Sequence, residues 1–296
     1  MASDSGFKFY HYNPSLAAAV FLILLFTAAT IRHLQLLVRE RTWYFTPFVI
    51  GCLFEAGGHV GRAIGARQTP DWTLYPYLIQ SLLTLLGPTL FAAAIYMVLG
   101  RLIRLLGAES YSMIRPKWLT KFFLLGDVLS FLGQSGGGGI LATAKTESSQ
   151  NLGNKVILLG LGIQVVFFGF FIVVTVVFHH RINKHPTPKS YSVGTPWKLF
   201  LWVLYASSVL IMIRSIFRMI EYAGGSNGTL MQKEIYVYVF DSVLMLIVAV
   251  LFAVYHPSRI LVNYSCLSGA FRRFAFDQHE ALDGFSHSLC VLQSDN

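Results

Sequence analysis

The chain has 296 residues, of which 54% are hydrophobic and only 12% charged, and its mean hydropathy is +0.57. Soluble domains carry roughly 25% charged residues, so this composition excludes an ordinary soluble fold and identifies a polytopic membrane protein. The net charge of +9 lies mainly between apolar runs, where it reads as a topology signal and not as a nucleic-acid surface, and the three cysteines, Cys52, Cys266 and Cys290, offer no disulfide framework.

Crossing a hydrocarbon layer about 30 Å thick takes ~20 helical residues. Seven runs meet that length, near 15 to 37, 45 to 65, 74 to 100, 120 to 143, 155 to 178, 198 to 222 and 235 to 255. The first has no basic leader and no small-residue cleavage site, so it reads as a retained span. Arg39, Arg41, Arg101, Arg104, Arg115, Lys117, Arg181, Lys184, Lys189 and Lys198 fall in alternate loops, whereas the opposite segments hold only Lys8, Arg67, Lys145, Lys155 and Lys233. By the positive-inside rule the expected fold is an all-α bundle of seven transmembrane helices, with the N-terminus exoplasmic and the C-terminus cytoplasmic. Asn227, in an Asn-Gly-Thr sequon of the last outer loop, is the expected glycosylation site, and the Asn263 sequon falls on the inner side. Residues 1 to 257 read as the membrane domain. Residues 258 to 296 read as a cytoplasmic tail, partly disordered or with an interfacial helix around Phe271 to Phe274.

Polar stripes interrupt the runs. The second carries Glu55, His59 and Arg62 at i, i+4 and i+7, on one helical face. Gly57, Gly61 and Gly65 recur every fourth residue roughly opposite, a spacing that admits a close helix neighbour. The third offers Gln80 and Thr84 and is expected to break at Gly87-Pro88, because proline removes an intrahelical hydrogen bond. The fourth sets Asp127 and Gln134 seven residues apart, followed by Gly136 to Gly139, expected as an unwound end lining a cavity or as a loop. The fifth contributes Gln164. The sixth has Arg214, Arg218 and Glu221 on one face with Ser207 a heptad earlier, and the seventh aligns Glu234, Tyr238 and Asp241. Glu221 and Glu234 stand close enough to their helix ends to belong to the membrane interface.

A charge at mid-bilayer costs ~2.5 to 3.5 kcal/mol even on the lenient insertion scale. Left unpaired, Glu55, Arg62, Asp127, Arg214, Arg218, Glu221 and Asp241 would together cost on the order of 20 kcal/mol, more than the margin of a whole fold. They must pair or be wetted. On the expected topology all but Asp127 gather from mid-bilayer outwards, which implies a polar cavity beneath the exoplasmic leaflet. Two readings stay open: Arg–carboxylate clamps that bind nothing, and a cavity for a headgroup, a proton path or a cofactor. There is no Walker loop, no His-Glu-x-x-His, no Gly-x-Ser-x-Gly elbow and no cysteine metal spacing. His59 and His256 lie at opposite depths, so a shared ion is not expected, and His179, His180 and His185 read as a solvated basic loop.

Glu55-Ala-Gly-Gly-His-Val-Gly-Arg62, the run from Gly87-Pro-Thr-Leu-Phe to Arg101, Gly126-Asp-Val-Leu-Ser-Phe-Leu-Gly-Gln, Arg214-Ser-Ile-Phe-Arg-Met-Ile-Glu-Tyr222 and His256-Pro257 occur in that order over residues ~10 to 260. In this the chain resembles the fungal lipid-translocating exporter family of aminocholesterol-resistance proteins and sphingoid long-chain-base exporters. His59 departs from the family pattern, where an aromatic is usual. The resemblance implies a seven-span protein that translocates sphingoid bases or related amphiphilic lipids and confers resistance to toxic amphiphiles. On that reading Glu55, His59, Arg62, Gln134, Arg214, Arg218 and Asp241 are candidate substrate-binding residues, and Asp127 and Glu221 are candidates for a proton relay. Its partners would be membrane lipids and a sphingoid base or similar amphiphile, with no nucleic acid, metal or cofactor. Two other classes fit the same residues: an enzyme acting on a lipid or isoprenoid by acid–base chemistry of Glu55 or Asp241, and a seven-span ligand receptor.

Overall fold

The computed structural model describes residues 14–68, 73–144, 146–193, 197–224 and 234–258. Asn227, Asn263, Cys266, Cys290 and the Phe271 to Phe274 segment lie outside them. Every regular element among the described residues is helical: α1 (Leu16–Arg39), α2 (Thr46–Arg67), α3 (Leu74–Leu105), α4 (Pro116–Thr143), α5 (Glu147–Lys184), the short α6 (Pro188–Ser192), α7 (Trp197–Ala223) and α8 (Glu234–Val254). Short 3-10 turns stand at Trp43–Phe45 and Glu109–Tyr111, and α8 contains one π-helical stretch at Tyr238–Val243.

Five helices, α1, α3, α5, α7 and α8, are long and apolar enough to cross a membrane by length and composition, and the chain is an integral membrane protein. The other two long helices, α2 and α4, span 22 and 28 residues. Their apolarity is diluted by the glycines and by Glu55, His59 and Arg62 in one, Asp127 and Gln134 in the other. The seven apolar runs coincide with the seven long helices. The largest difference is α5, which extends beyond 155 to 178 at both ends. Thr146 caps it, its Oγ1 accepting the Ser149 N–H at 3.3 Å, and the added turns are polar.

Helices adjacent in sequence pack side by side, α1 on α2, α2 on α3, α3 on α4, α4 on α5, α5 on α7 and α7 on α8, and α8 returns to α1; α3 also meets α7. The C-terminal half of α3 is enclosed on all sides: Phe91, Ile95, Tyr96, Val98, Leu99, Leu102 and Ile103 show no exposure. A helix apolar around its circumference belongs in the middle of a bundle, and α3 takes that place. By contrast α1 turns Phe21 and Leu24 outward, as a helix bathed in lipid can. At one end of the bundle α6 is tied to the end of α3, Thr187 Oγ1 donating to the Leu106 carbonyl at 2.6 Å.

Two expectations about the backbone are overturned. Gly136 to Gly139 are helical, within α4, because the glycines of this helix form a seam with α5. A Cβ on Gly137 would lie 2.7 Å from the Gly153 carbonyl oxygen, and one on Gly160 would lie 2.8 Å from the Ser130 carbonyl oxygen. Backbone packs directly on backbone there, the membrane use of small residues. The Gly87-Pro88 dipeptide likewise does not interrupt α3, which runs through Pro88; what replaces the lost hydrogen bond belongs to the site. The small-residue face of α2 is broader than the Gly57, Gly61, Gly65 series. Gly51, Gly58 and Gly61 abut α3 most closely, with Cβ positions 2.9 Å or less from its atoms, while Gly57 reaches only Leu83, at 3.0 Å.

The seam makes a matched pair of substitutions informative. Gly137→Ala forces the α4 and α5 backbones apart and is expected to cost about 1–3 kcal/mol, seen as a lower thermal midpoint of the detergent-solubilised protein. Gly138→Ala, with nothing within 4 Å of the added carbon, should be neutral or stabilising by up to about 1 kcal/mol. Equal melting of the two would contradict the seam.

Candidate functional site

The polar residues form a column at the end of the bundle where α2 and α7 finish and α3 and α8 begin. Its first layer joins α1, α2 and α8. Arg62 Nη2 pairs with Glu234 Oε1 at 3.0 Å, Arg62 Nε donates to Tyr238 Oη at 3.0 Å, and the Ser15 N–H donates to both Glu234 carboxylate oxygens at 2.9 and 3.0 Å. One turn further in, His59 Nδ1 donates to the Glu55 carbonyl at 2.7 Å, and its Nε2 stands 3.0 Å from Ser242 Oγ. The Phe26 ring of α1 stacks on the His59 imidazole, the centroids 5.6 Å apart.

The innermost layer joins α3, α7 and α8 around Arg214. Its Nε pairs with Asp241 Oδ1, and its Nη2 donates to the Thr84 carbonyl at 2.7 Å. Thr84 is four residues before Pro88, so its carbonyl is the one that proline deprives of an intrahelical donor. A side chain of α7 thus supplies the bond that α3 cannot make for itself, which is how a buried proline is tolerated in a membrane helix. Asp241 lies within the π-helical stretch of α8, where the extra residue per turn rotates its side chain relative to a regular helix; such stretches are frequent at functional sites. Glu55 completes the layer. Its Oε1 is 2.7 Å from where a Cβ on Gly87 would sit, it lies within electrostatic reach of Asp241, Arg214 and Arg218, and this oxygen is buried without a hydrogen-bond donor. On α7, Arg218 Nη1 pairs with Glu221 Oε2 at 2.9 Å.

Three features differ from expectation. The bases do not all meet Glu55 and Asp241: Arg62 takes Glu234 and Arg218 takes Glu221, so both outer glutamates are structural partners and not merely interfacial. The residues also do not line an open wet chamber. Glu55, Arg214 and Asp241 are only 2%, 1% and 6% exposed, and for Arg214 and Asp241 direct pairing replaces the water that unpaired charges would require. Finally, Gln134 stands apart, its Nε2 donating to Ser130 Oγ at 2.6 Å and to Gln164 Oε1 at 3.2 Å across the α4–α5 seam. Asp127 is also separate, buried on α4 beside the Tyr96 hydroxyl of α3.

Charge counting gives the column its chemistry. Arg62, Arg214 and Arg218 are each paired with one acid, Glu234, Asp241 and Glu221. Among the described residues Glu55 is the fourth carboxylate and has no base of its own. The sequence pointed to most of these groups, but not to Ser242, to Tyr96 or to the Thr84 carbonyl; the last had a signal, a proline four residues on. It also left unlinked His33 and His256, whose rings lie 6.3 Å apart, with Phe45 close to both, at the far end of the bundle.

Breaking a buried ion pair from one side strands the other charge. Arg214→Met is expected to destabilise the protein by about 3–5 kcal/mol. Adding Asp241→Leu should recover part of that loss, leaving roughly 1–3 kcal/mol for the uncapped Thr84 carbonyl. Thermal melts of the single and double variants check this, and strictly additive losses would refute it.

Residues 48–263 match the family described as "RTA1 like protein". The chain is 35% identical over 287 residues to the protoporphyrin uptake protein 1 of Saccharomyces cerevisiae, covering 85% of this chain and 93% of that protein. It is 31% identical over 268 residues to the probable lipid transporter atnI of Emericella nidulans, covering 85% and 68% respectively. To the sphingoid long-chain base transporter RSB1 of Saccharomyces cerevisiae it is 25% identical over 289 residues, covering 86% and 75%. No solved structure matches. With the family match running from near the start of α2 to beyond the end of α8, and carrying every charged side chain of the polar column within it, the chain belongs to the RTA1-like family.

Proposed function

We propose that this protein moves sphingoid bases or related amphiphilic lipids across the membrane and so confers resistance to toxic amphiphiles. One observation carries the reading: a buried column in which, among the described residues, the carboxylates outnumber the arginines by one, Glu55, placed where three helices meet. Such a site attracts a single positive charge, the charge of a sphingoid base's amine, while the acyl chain stays in lipid. The names of relatives as a lipid transporter and a sphingoid long-chain base transporter support it. In this reading Glu55 and Asp241 receive the amine, and Arg214, Arg218, Arg62 and His59 shape and balance the column. Gln134 belongs to the wall formed by α4 and α5, and Asp127 and Glu221 are the groups available to relay a proton.

The accompanying topology has all seven long helices spanning the membrane, the Glu234 end of the column exoplasmic and residues 258 to 296 forming a cytoplasmic tail. The loop arginines and lysines favour it. It predicts glycosylation at Asn227 and none at Asn263, so only Asn227→Gln should remove an endoglycosidase-sensitive mass shift.

For the cargo, Glu55→Gln keeps size while removing the carboxylate. Cells carrying it should lose tolerance to added phytosphingosine while keeping near-normal amounts of the protein in the membrane. Full tolerance at normal abundance would sink the reading. A lipid co-purified with the protein and chemically altered on incubation would move it to an enzyme.

A further inference from the structure

The polar column has a mechanical element that the cargo reading does not use. Pro88 leaves the Thr84 carbonyl without its helical donor, yet α3 continues from Leu74 to Leu105. The missing bond comes from Arg214 of α7, at 2.7 Å, and that guanidinium is held from its other side by Asp241 of α8. The hydrogen bonding of the central helix at this turn therefore depends on a side chain shared with an acid of the binding column. Beside the same turn stands Gly87, one of two glycines of α3 and so free to change its backbone angles, and the space its Cβ would fill is taken by Glu55 Oε1. Asp241 pairs with the arginine, Glu55 and Glu221 lie within its electrostatic reach, and Asp241 itself lies in the irregular, π-helical part of α8.

We propose that Arg214 is a latch on a hinge at Gly87-Pro88: paired with Asp241 it caps the Thr84 carbonyl and holds the turn of α3 at the proline fixed, and a positive charge bound at Asp241 and Glu55 displaces it and lets α3 change its bend there. The proposal rests on the cationic-amphiphile reading for what opens the latch, but not for the latch itself. The guanidinium and an incoming cation compete for the same carboxylate, so occupancy by one excludes the other. Once the cap leaves, the Thr84 carbonyl is an unsatisfied acceptor in an apolar helix. Bending at the proline is the motion that turns such a carbonyl toward a new donor. Cargo binding and the shape of the central helix become two sides of one exchange.

Hydrogen–deuterium exchange of the full-length protein in nanodiscs tests this at the amides of residues 89–92, whose helical bonds flank the hinge. Without cargo, Arg214→Ala should speed their exchange roughly tenfold, the loss expected for one charge-assisted hydrogen bond. Pro88→Ala restores the backbone donor to Thr84, so in that background Arg214→Ala should have no effect on this peptide. Exchange unmoved by Arg214→Ala, or raised equally in both backgrounds, overturns the latch. Should Arg214→Ala not accumulate, Asp241→Asn, which removes the charge from the other half of the arginine's hold, is read in the same peptide with the same expectations. Phytosphingosine added to the unaltered protein should raise exchange at 89–92, and Pro88→Ala should suppress that rise. If the cargo-free pair behaves as stated while phytosphingosine changes nothing, the latch stands and the cargo assignment fails. If phytosphingosine is transported but the cargo-free pair shows no difference, the latch alone fails.

Discussion

The guanidinium of Arg214 is the constraint around which this bundle is arranged. It satisfies a carbonyl that proline has stripped of its helical partner and an aspartate that could not otherwise be held in hydrocarbon, and it does both from a third helix. Each bond would be a liability alone. A bare carbonyl, a bare carboxylate and a bare arginine each carry a desolvation penalty that membrane burial makes larger. Joined, they fix the spacing of α3, α7 and α8 at one depth, with one side chain 1% exposed.

The remainder of the column follows the same rule with less demanding geometry. Arg62 is shared between Glu234 and Tyr238, and the same glutamate receives the N–H of Ser15 at the start of α1, so the first, second and last long helices are pinned together. Arg218 finds Glu221 one turn away on its own helix. These pairs neutralise each other and leave little for a ligand to do. Glu55 breaks the pattern, and its position against a glycine of the central helix puts a carboxyl group with no arginine of its own next to a backbone weak point.

Much of this was legible in the sequence because membrane helices announce themselves by length and because charged residues within them are too costly to be accidental. The stripes on α2, α7 and α8 did converge. What the stripes could not show was pairing. Helical spacing places Arg62 on the face of Glu55, but the structure gives it Glu234 of α8, a partner on another helix that spacing within α2 cannot reveal. The glycines were misread for a related reason. Propensity scales describe a helix in isolation, and Gly137 is helical because α5 lies against its backbone. Proline at position 88 was read as a break when it marked a vacancy for another helix to fill. Gln134 and Asp127 share a face with the right spacing but face α5 and Tyr96, a matter of bundle rotation that no periodicity encodes.

The contact between α4 and α5 has one more consequence. Helices separated by leucines can slide, because interlocking side chains have alternative rotamers and a cushion of carbon between the two backbones. Where Gly133 and Gly137 meet Gly153 and Gly160 there is no such cushion, and peptide lies on peptide. The pair behaves as a single stiff plank. Any rearrangement of the bundle must then be made by the other helices, moving past a wall that stays still.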